Sequence, residues 1–200
     1  MSKVVAYIDG SHVKYIADGQ PKFVNGWSMI LHHNSQSEEL YGARVIRKQD
    51  SGLHEFFAFV ECVLELKRRG YKPEDVSIYT DDQIVTYIPF DLHPDNYSRG
   101  FLMNLPKWKK ACHHYFDEHT FEEALQFIQK CRINKVKGHA LCVDNHRCDY
   151  LAKYAAWRKA KGNAFRNKFV SREKQLKDGF KHNVDGEFVM WYPPFCDISL

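Results

Sequence analysis

The sequence contains no run of about 18 consecutive apolar residues, the length a helix needs to cross a bilayer. A membrane-spanning helix is therefore excluded, and no membrane partner is expected. A secretory leader is not expected either. The apolar run from Met1 to Ile8 meets Asp9 at once and offers no cleavage site. None of the six cysteines (Cys62, Cys112, Cys131, Cys142, Cys148, Cys196) forms a C-x-x-C pair. A 200-residue chain can bury a core without staples, so free thiols in a reducing cytoplasm are expected. His139, Cys142, His146 and Cys148 are zinc-ligand types, but their spacing matches no standard pair of ligand clusters. Internal repeats and low-complexity tracts are absent.

What is present is an ordinary globular composition, 44% hydrophobic and 27% charged. The net charge of +4 is unevenly spread. Residues 1–157 carry 20 charges of each sign. The segment from Arg158 to His182 holds nine Lys/Arg against two acids, and the last residues, from Asn183, hold three acids and no Lys/Arg. This divides the chain into a neutral body, residues 1–157, and an extension, residues 158–200, whose first part is strongly basic. Such a segment reads either as a grip on a polyanion or as a solvated helix face.

Hydrophobic patterning predicts three early strands: Lys3 to Ile8, ending in an Asp9-Gly10-Ser11 turn, then Trp27 to His32 after Asn25-Gly26, then Glu39 to Arg47. The period then changes. Leu53, Phe56, Phe57, Val60, Val63 and Leu64 follow the 3.6-residue repeat, and Gly70 closes that helix after Lys67, Arg68 and Arg69. Val76 to Tyr79 reads as a strand, Gln83 to Ile88 as a brief helix, and residues 89–106 as a long connection. A helix is expected around Trp108 to His114, and another from Phe121 to Cys131 behind the capping box Thr120-Phe121-Glu122-Glu123. Arg132 to Lys137 is a strand candidate and Asn145 to Lys161 a helix. Helix is also expected over Ser171 to Asp178, and a strand or hairpin over Val184 to Tyr192, split by Asp185-Gly186. A crossover helix between the first and fourth strands makes that pair parallel. The fold class is thus α/β, with a mixed five-stranded sheet of three antiparallel strands followed by two parallel ones, flanked by helices.

In such a sheet Asp9 and Asp81 end neighbouring strands, Glu55 opens the crossover helix, and Asp149 lies early in the last long helix. Each acid has an ordinary structural reading, as a turn residue or as a partner of a helix dipole. Together they point elsewhere. Clustered carboxylates repel one another unless a cation neutralises them. Hard oxygen ligands select Mg²⁺, with Mn²⁺ able to substitute. Two such ions, about 4 Å apart, form a clamp for in-line attack on a phosphodiester.

Tyr7-Ile8-Asp9-Gly10-Ser11 resembles the first-strand motif of the type 1 ribonuclease H family. Tyr79-Thr80-Asp81-Asp82-Gln83 resembles its fourth-strand motif. Val136-Lys137-Gly138-His139, followed ten residues after the histidine by Asp149 within Arg147-Cys148-Asp149-Tyr150-Leu151-Ala152, resembles its C-terminal signature. The resemblance covers about residues 3–157. It implies a ribonuclease H-like fold and a metal-dependent endonuclease that hydrolyses the RNA strand of RNA–DNA hybrids. It also implies that Asp9, Glu55, Asp81 and Asp149 bind two Mg²⁺ ions. Asp9 would be shared by both ions, Asp149 would serve the attacking water, and Glu55 and Asp81 the leaving 3′ oxygen. His139 would assist proton transfer or product departure. Gly10, Ser11, Ser51 and Gln83 would contact the substrate, as would Lys107, Trp108, Lys109 and Lys110, which lie where many members carry a basic protrusion.

The sequence departs from the family pattern in three places. The stretch before the helical glutamate, Asp50-Ser51-Gly52-Leu53-His54-Glu55, has no asparagine, where the family places one that touches the hybrid's 2′-hydroxyls. The glycine-rich link after the first strand is replaced by His12 to Gly26. The first strand begins at residue 3, so the family's N-terminal hybrid-binding domain is not expected, and the extension becomes a candidate grip. Two other functions remain open: a nuclease of this fold acting on double-stranded RNA or on DNA, and a non-catalytic nucleic-acid-binding module. A monomer is expected.

Overall fold

The structure, a computed structural model, describes residues 4–46, 53–82, 99–136, 142–161, 180–184 and 187–191. Strands β1 (Val4–Ala17), β2 (Gln20–His33) and β3 (Gln36–Ile46) form an antiparallel meander. Helix α1 (Leu53–Arg68) crosses over, and a short 3-10 turn (Pro73–Asp75) leads into β4 (Val76–Thr80), which runs parallel to β1. Helices α2 (Arg99–Cys112) and α3 (Glu118–Lys130) precede β5 (Arg132–Lys135), which is parallel to β4. Helix α4 (Val143–Lys161) follows. The sheet order is β3-β2-β1-β4-β5, the mixed arrangement that the pattern of elements predicts. A separate hairpin, β6 (Phe180–Val184) and β7 (Glu187–Trp191), begins four residues before the expected start at Val184. The brief helix expected over Gln83 to Ile88 and the helix expected over Ser171 to Asp178 lie outside the described residues.

The first strand is more than twice its expected length. Asp9-Gly10-Ser11 is not a turn: Asp9 pairs with Ser28 and Gly10 with Trp27 in mid-ladder. The turn comes at Asp18-Gly19, where both residues have positive φ (54° and 71°) between the paired Ala17 and Gln20. This is the two-residue loop that Asp-Gly favours, because its twist matches that of the flanking strands. Asn34-Ser35 closes the next hairpin in the same way, with φ of 51° and 62°. Asn25-Gly26 likewise lies within β2 rather than ahead of it.

Two further boundaries differ from expectation. The connection predicted through residue 106 is helical from Arg99, and α2 runs through Pro106. An interior proline costs a helix about 3 kcal/mol, and the burial of Trp108 and Cys112 on the same helix works against that loss. Helix α3 is capped three residues early. Asp117 accepts from the Thr120 backbone N–H at 2.8 Å, so Thr120 is inside the helix instead of capping it. At the end of α1, Gly70 has φ of 79° and its N–H donates to the Lys67 carbonyl, while Tyr71 N–H donates to the Leu66 carbonyl, the glycine C-cap that the sequence predicts.

Successive residues of β1 face opposite sides. Val4, Ala6 and Ile8 pack into the main core with Phe56, Phe57, Phe59, Val60, Val63 and Leu66 of α1. Each such side chain contributes about 1.5–3 kcal/mol on full burial. On the other face Val13 and Val24 pack with Ala156 of α4. The sheet is thus held between α1 and α4, and two glycines set how close these helices come. A Cβ on Gly10 would lie 2.6 Å from the His54 carbonyl oxygen of α1, and one on Gly26 would lie 2.1 Å from the Ala152 carbonyl oxygen of α4. Both neighbours are backbone and cannot swing aside. Gly26→Ala is therefore expected to destabilise the chain by about 1–3 kcal/mol, the usual cost of overpacking. Chemical denaturation measures it, and a loss under about 0.5 kcal/mol, the range of an ordinary surface change, would contradict this packing.

Candidate active site

Asp9 sits at the centre of the sheet on β1 and is only 5% exposed. Glu55 lies in the first turn of α1. Asp81 follows the last residue of β4, where Thr80 Oγ1 accepts from the Asp82 N–H at 3.2 Å and shapes the chain as it leaves the sheet. Asp149 lies nearly two turns into α4. These are the four carboxylates singled out from the sequence, and the fold gathers them around Asp9. Burial pushes the Asp9 pKa well above the usual carboxylate range, and the charges of Glu55, Asp149 and Asp81 push it further. The Gly10 N–H, donating to Asp9 Oδ1 at 2.8 Å, acts the other way. The Glu55 pKa is raised too, by burial first, against the opposing influence of His54 and the Gly10 N–H.

Helix α4 is docked so that Asp149 comes beside Asp9. Ser28 Oγ donates to the Cys148 carbonyl at 2.7 Å, and Cys148 Sγ donates to the Tyr7 carbonyl at 3.1 Å. Arg147 makes two parallel hydrogen bonds to Glu39 of β3, at 2.8 and 2.9 Å. Each outer carboxylate also has a partner of its own. Gly10 N–H donates to Glu55 Oε2 at 3.0 Å and His54 Nε2 lies 3.2 Å from Oε1. Asn145 Nδ2 donates to Asp81 Oδ2 at 3.2 Å. Lys153, one turn on, holds both oxygens of Asp149. Composition and spacing gave no sign of His54, Asn145 or Lys153 as parts of the site. Only the i, i+4 spacing of Asp149 and Lys153 was open to reading as a helical ion pair.

Among the described residues, no three His, Cys, Asp or Glu side chains converge as a ready-made metal cluster. The donor set nonetheless fits a hard divalent cation. It is four carboxylates, one of them buried amid the charge of the other three, and a cation would offset that repulsion. The zinc-like grouping does not fit. Cys148 is buried with its thiol donating to Tyr7, and burial pushes its pKa well up, which disfavours the thiolate that zinc requires. Among the described residues Cys62, Cys112, Cys131, Cys142 and Cys148 are free thiols, as the sequence suggests.

The expected substrate contacts fare unequally. Gly10 is part of the carboxylate cluster through its N–H, and Ser11 is buried beside it. Lys107 and Lys110 are exposed on α2. Trp108 is not a surface residue. It is 1% exposed and stacks on Phe56 with ring centroids 4.9 Å apart, so it belongs to the core. Lys109 is committed to Glu118 and Glu122 of α3. Ser51, Gln83 and His139 lie outside the described residues.

The RNase H family model matches residues 1–157. Relatives named Ribonuclease H include one from Clostridium botulinum strain Hall, 26% identical over 163 residues that span 78% of this chain and 96% of the relative. Another, from Acetivibrio thermocellus, is 28% identical over 161 residues that span 76% and 93%. Among solved structures, RNase H1 from the halophilic archaeon Halobacterium salinarum matches 76% of this chain and 96% of its own, at 18% identity and a TM-score of 0.46. The chain belongs to the RNase H family. The matched segment ends at residue 157, and α4 continues four residues beyond it, to Lys161.

The charge at Asp9 has a measurable consequence. Its pKa is raised in the fold, so the stability carried by the protonated carboxyl is full below the unfolded-state pKa and is lost as pH rises through the folded value. Asp9→Asn keeps an acceptor for Gly10 N–H and removes the charge. In divalent-free buffer at about pH 7 this variant is expected to be more stable than the parent, by a margin that shrinks as the pH falls towards the ordinary carboxylate range of about pH 4. Thermal melts across that range measure the difference, and a less stable variant at neutral pH would mean that Asp9 is neutralised some other way.

Proposed function

We propose that this chain is a metal-dependent endonuclease that hydrolyses the RNA strand of RNA–DNA hybrids. The observation that carries this reading is Asp9, buried in mid-strand and surrounded by Glu55, Asp81 and Asp149, within a segment matched by the RNase H family model. These four residues would hold two divalent ions, Mg²⁺ with Mn²⁺ able to substitute. Asp9 would be shared, with Asp149 on the side of the attacking water and Glu55 and Asp81 on the side of the leaving 3′ oxygen. Bound there, such ions supply charge neutralisation at the scissile phosphate and a more acidic water.

The chain's own residues do the rest. Gly10 N–H fixes Asp9 and Glu55 relative to each other. Asn145 orients Asp81, and Lys153 balances Asp149. His139 is assigned to proton transfer or product departure. Lys107 and Lys110, exposed on α2, are assigned to the phosphates, and the basic segment from Arg158 to His182 within the extension adds a second grip. Neutralising phosphates makes such binding salt-dependent. Trp108 is withdrawn from the substrate surface because it is core. The free buried thiols support a reducing, cytoplasmic setting.

The purified protein is expected to cut the RNA strand of a hybrid with Mg²⁺ or Mn²⁺. Asp9→Asn and Asp81→Asn should each lower cleavage by more than about 100-fold, the upper end of what losing a group that merely supports a ligand costs. Both should retain the parent's circular dichroism spectrum. Cleavage at the parent's rate by either variant would remove the site assignment. One observation keeps a second substrate class in view: no asparagine stands between Asp50 and Glu55. A side-by-side assay on a hybrid, an RNA duplex and a DNA duplex decides it. Preference for the hybrid is expected, and preference for the DNA duplex would overturn the hybrid reading.

A further inference from the structure

His54 stands immediately before Glu55 and is held from two sides by a single cross-strand pair. His12 on β1 lies directly opposite Asn25 on β2. The Asn25 side chain, fully buried, donates from Nδ2 to the His54 carbonyl at 3.2 Å. The His12 ring meets the His54 ring edge-on, with centroids 4.7 Å apart. The same carbonyl lies so close to Gly10 that no Cβ fits between them. The first turn of α1 is thus pinned to the two central strands through residue 54, in its backbone and in its ring. What the ring then does is directional. Its Nε2 lies 3.2 Å from Glu55 Oε1, and Gly10 N–H donates to Oε2 at 3.0 Å. One partner on each oxygen, the Gly10 N–H hydrogen bond on Oε2 and the His54 ring at ion-pair distance from Oε1, constrains the carboxylate plane, yet each oxygen keeps a second lone pair for a cation.

We propose that His54, braced by His12, is a positioning residue for Glu55. It orients the carboxylate towards Asp9 for metal binding without itself touching substrate. The proposal rests on the reading of Glu55 as a metal-holding carboxylate of the hydrolytic site. An ordinary helix-start residue would explain neither the ring contact with His12 nor the direction of Nε2.

The test compares His54→Leu, His54→Gln and His12→Ala in the full chain, with two readouts. The first is the Mn²⁺ dissociation constant without nucleic acid, by electron paramagnetic resonance. The second is kcat and KM on an RNA–DNA hybrid. Groups that orient a metal ligand typically contribute about 10–100-fold to metal affinity or activity. His54→Leu is therefore expected to weaken Mn²⁺ binding and lower kcat by about tenfold or more, with KM nearly unchanged. His54→Gln, whose amide can donate to the same oxygen, should recover most of both losses. His12→Ala should show a smaller loss of the same kind. In a Glu55→Gln background, His54→Leu should have no further effect on Mn²⁺ binding, because the group it positions has lost its charge. Parent-like Mn²⁺ affinity in a folded His54→Leu protein overturns the proposal. So does an equal loss in the leucine and glutamine variants, or a change confined to KM, which would place His54 on the substrate. If His54→Leu does not fold, the glutamine and His12→Ala variants decide on the same readouts, and failure of both to differ from Glu55→Gln overturns it. A parent that cuts no hybrid but binds Mn²⁺ with the expected dependence on His54 would sink the substrate reading and leave this inference standing.

Discussion

The rest of the structure is organised around an unfavourable placement, a carboxylate buried in the middle of a β-sheet with three others near it. In a low-dielectric interior, Asp9 loses its water and gains the repulsion of Glu55, Asp81 and Asp149, so the charged form is costly. Such a centre persists only if the scaffold around it is rigid enough to prevent the carboxylates from drifting into solvent. The fold supplies that rigidity from both faces of the sheet. Gly10 brings the start of α1 down against β1, Gly26 does the same for α4 against β2, and both contacts are backbone on backbone. Side-chain hydrogen bonds then lock the docking: Asn25 to α1, and Ser28, Cys148 and Arg147 on the α4 side. A cation would offset the repulsion that these contacts sustain.

How much of this was legible in the sequence follows from which physical signals are local. The carboxylates were found because the end of β4, the helix starts and the parallel crossover can be read from hydrophobic period, and the order of elements brings them beside Asp9, although Asp9 itself lies in mid-strand and not at the strand end that the pattern suggests. The same reading misplaced the first turn. Asp9-Gly10-Ser11 and Asp18-Gly19 are both turn signals by residue type, and only the latter has the positive φ values and the flanking pair that close a hairpin. Gly10 and Gly26 serve close helix approach instead, a demand that comes from elements distant in sequence. Trp108 was misread for a related reason. Its lysine neighbours suggested a surface, whereas Trp108 and Cys112 at i, i+4 mark the buried stripe of α2, with Phe56 of α1 beneath the indole.

The partners of the carboxylates were not legible because hydrogen-bond direction is not a property of composition. Yet once the structure is known, their sequence positions are orderly. Gly10 follows Asp9 and His54 precedes Glu55, while Asn145 and Lys153 lie one turn before and one turn after Asp149. The residues that hold each carboxylate thus travel with one of the carboxylates on the same element, so correct docking of that element brings holder and ligand together. Asn145, like Gly10 with its bond to Glu55, links elements. It rides on α4 beside Asp149 but donates to Asp81 at the end of β4, so the docking of α4 also sets the far side of the site.

This arrangement explains how four carboxylates can lie near one another without forming a closed cluster. Among the described residues Lys153 pairs with Asp149, Asn145 donates to Asp81, and the Gly10 N–H and the His54 ring meet Glu55, so the unrelieved repulsion falls mainly on Asp9. A divalent cation at Asp9 would meet neighbours of different kinds. The Asn145 amide, the Gly10 N–H and the His54 ring could stay in place while Asp81 and Glu55 accepted a second bond. The ammonium of Lys153 would oppose it, because it contacts both oxygens of Asp149 and carries the same sign as the cation. Asp149 is therefore the carboxylate at which a cation would compete with a resident charge.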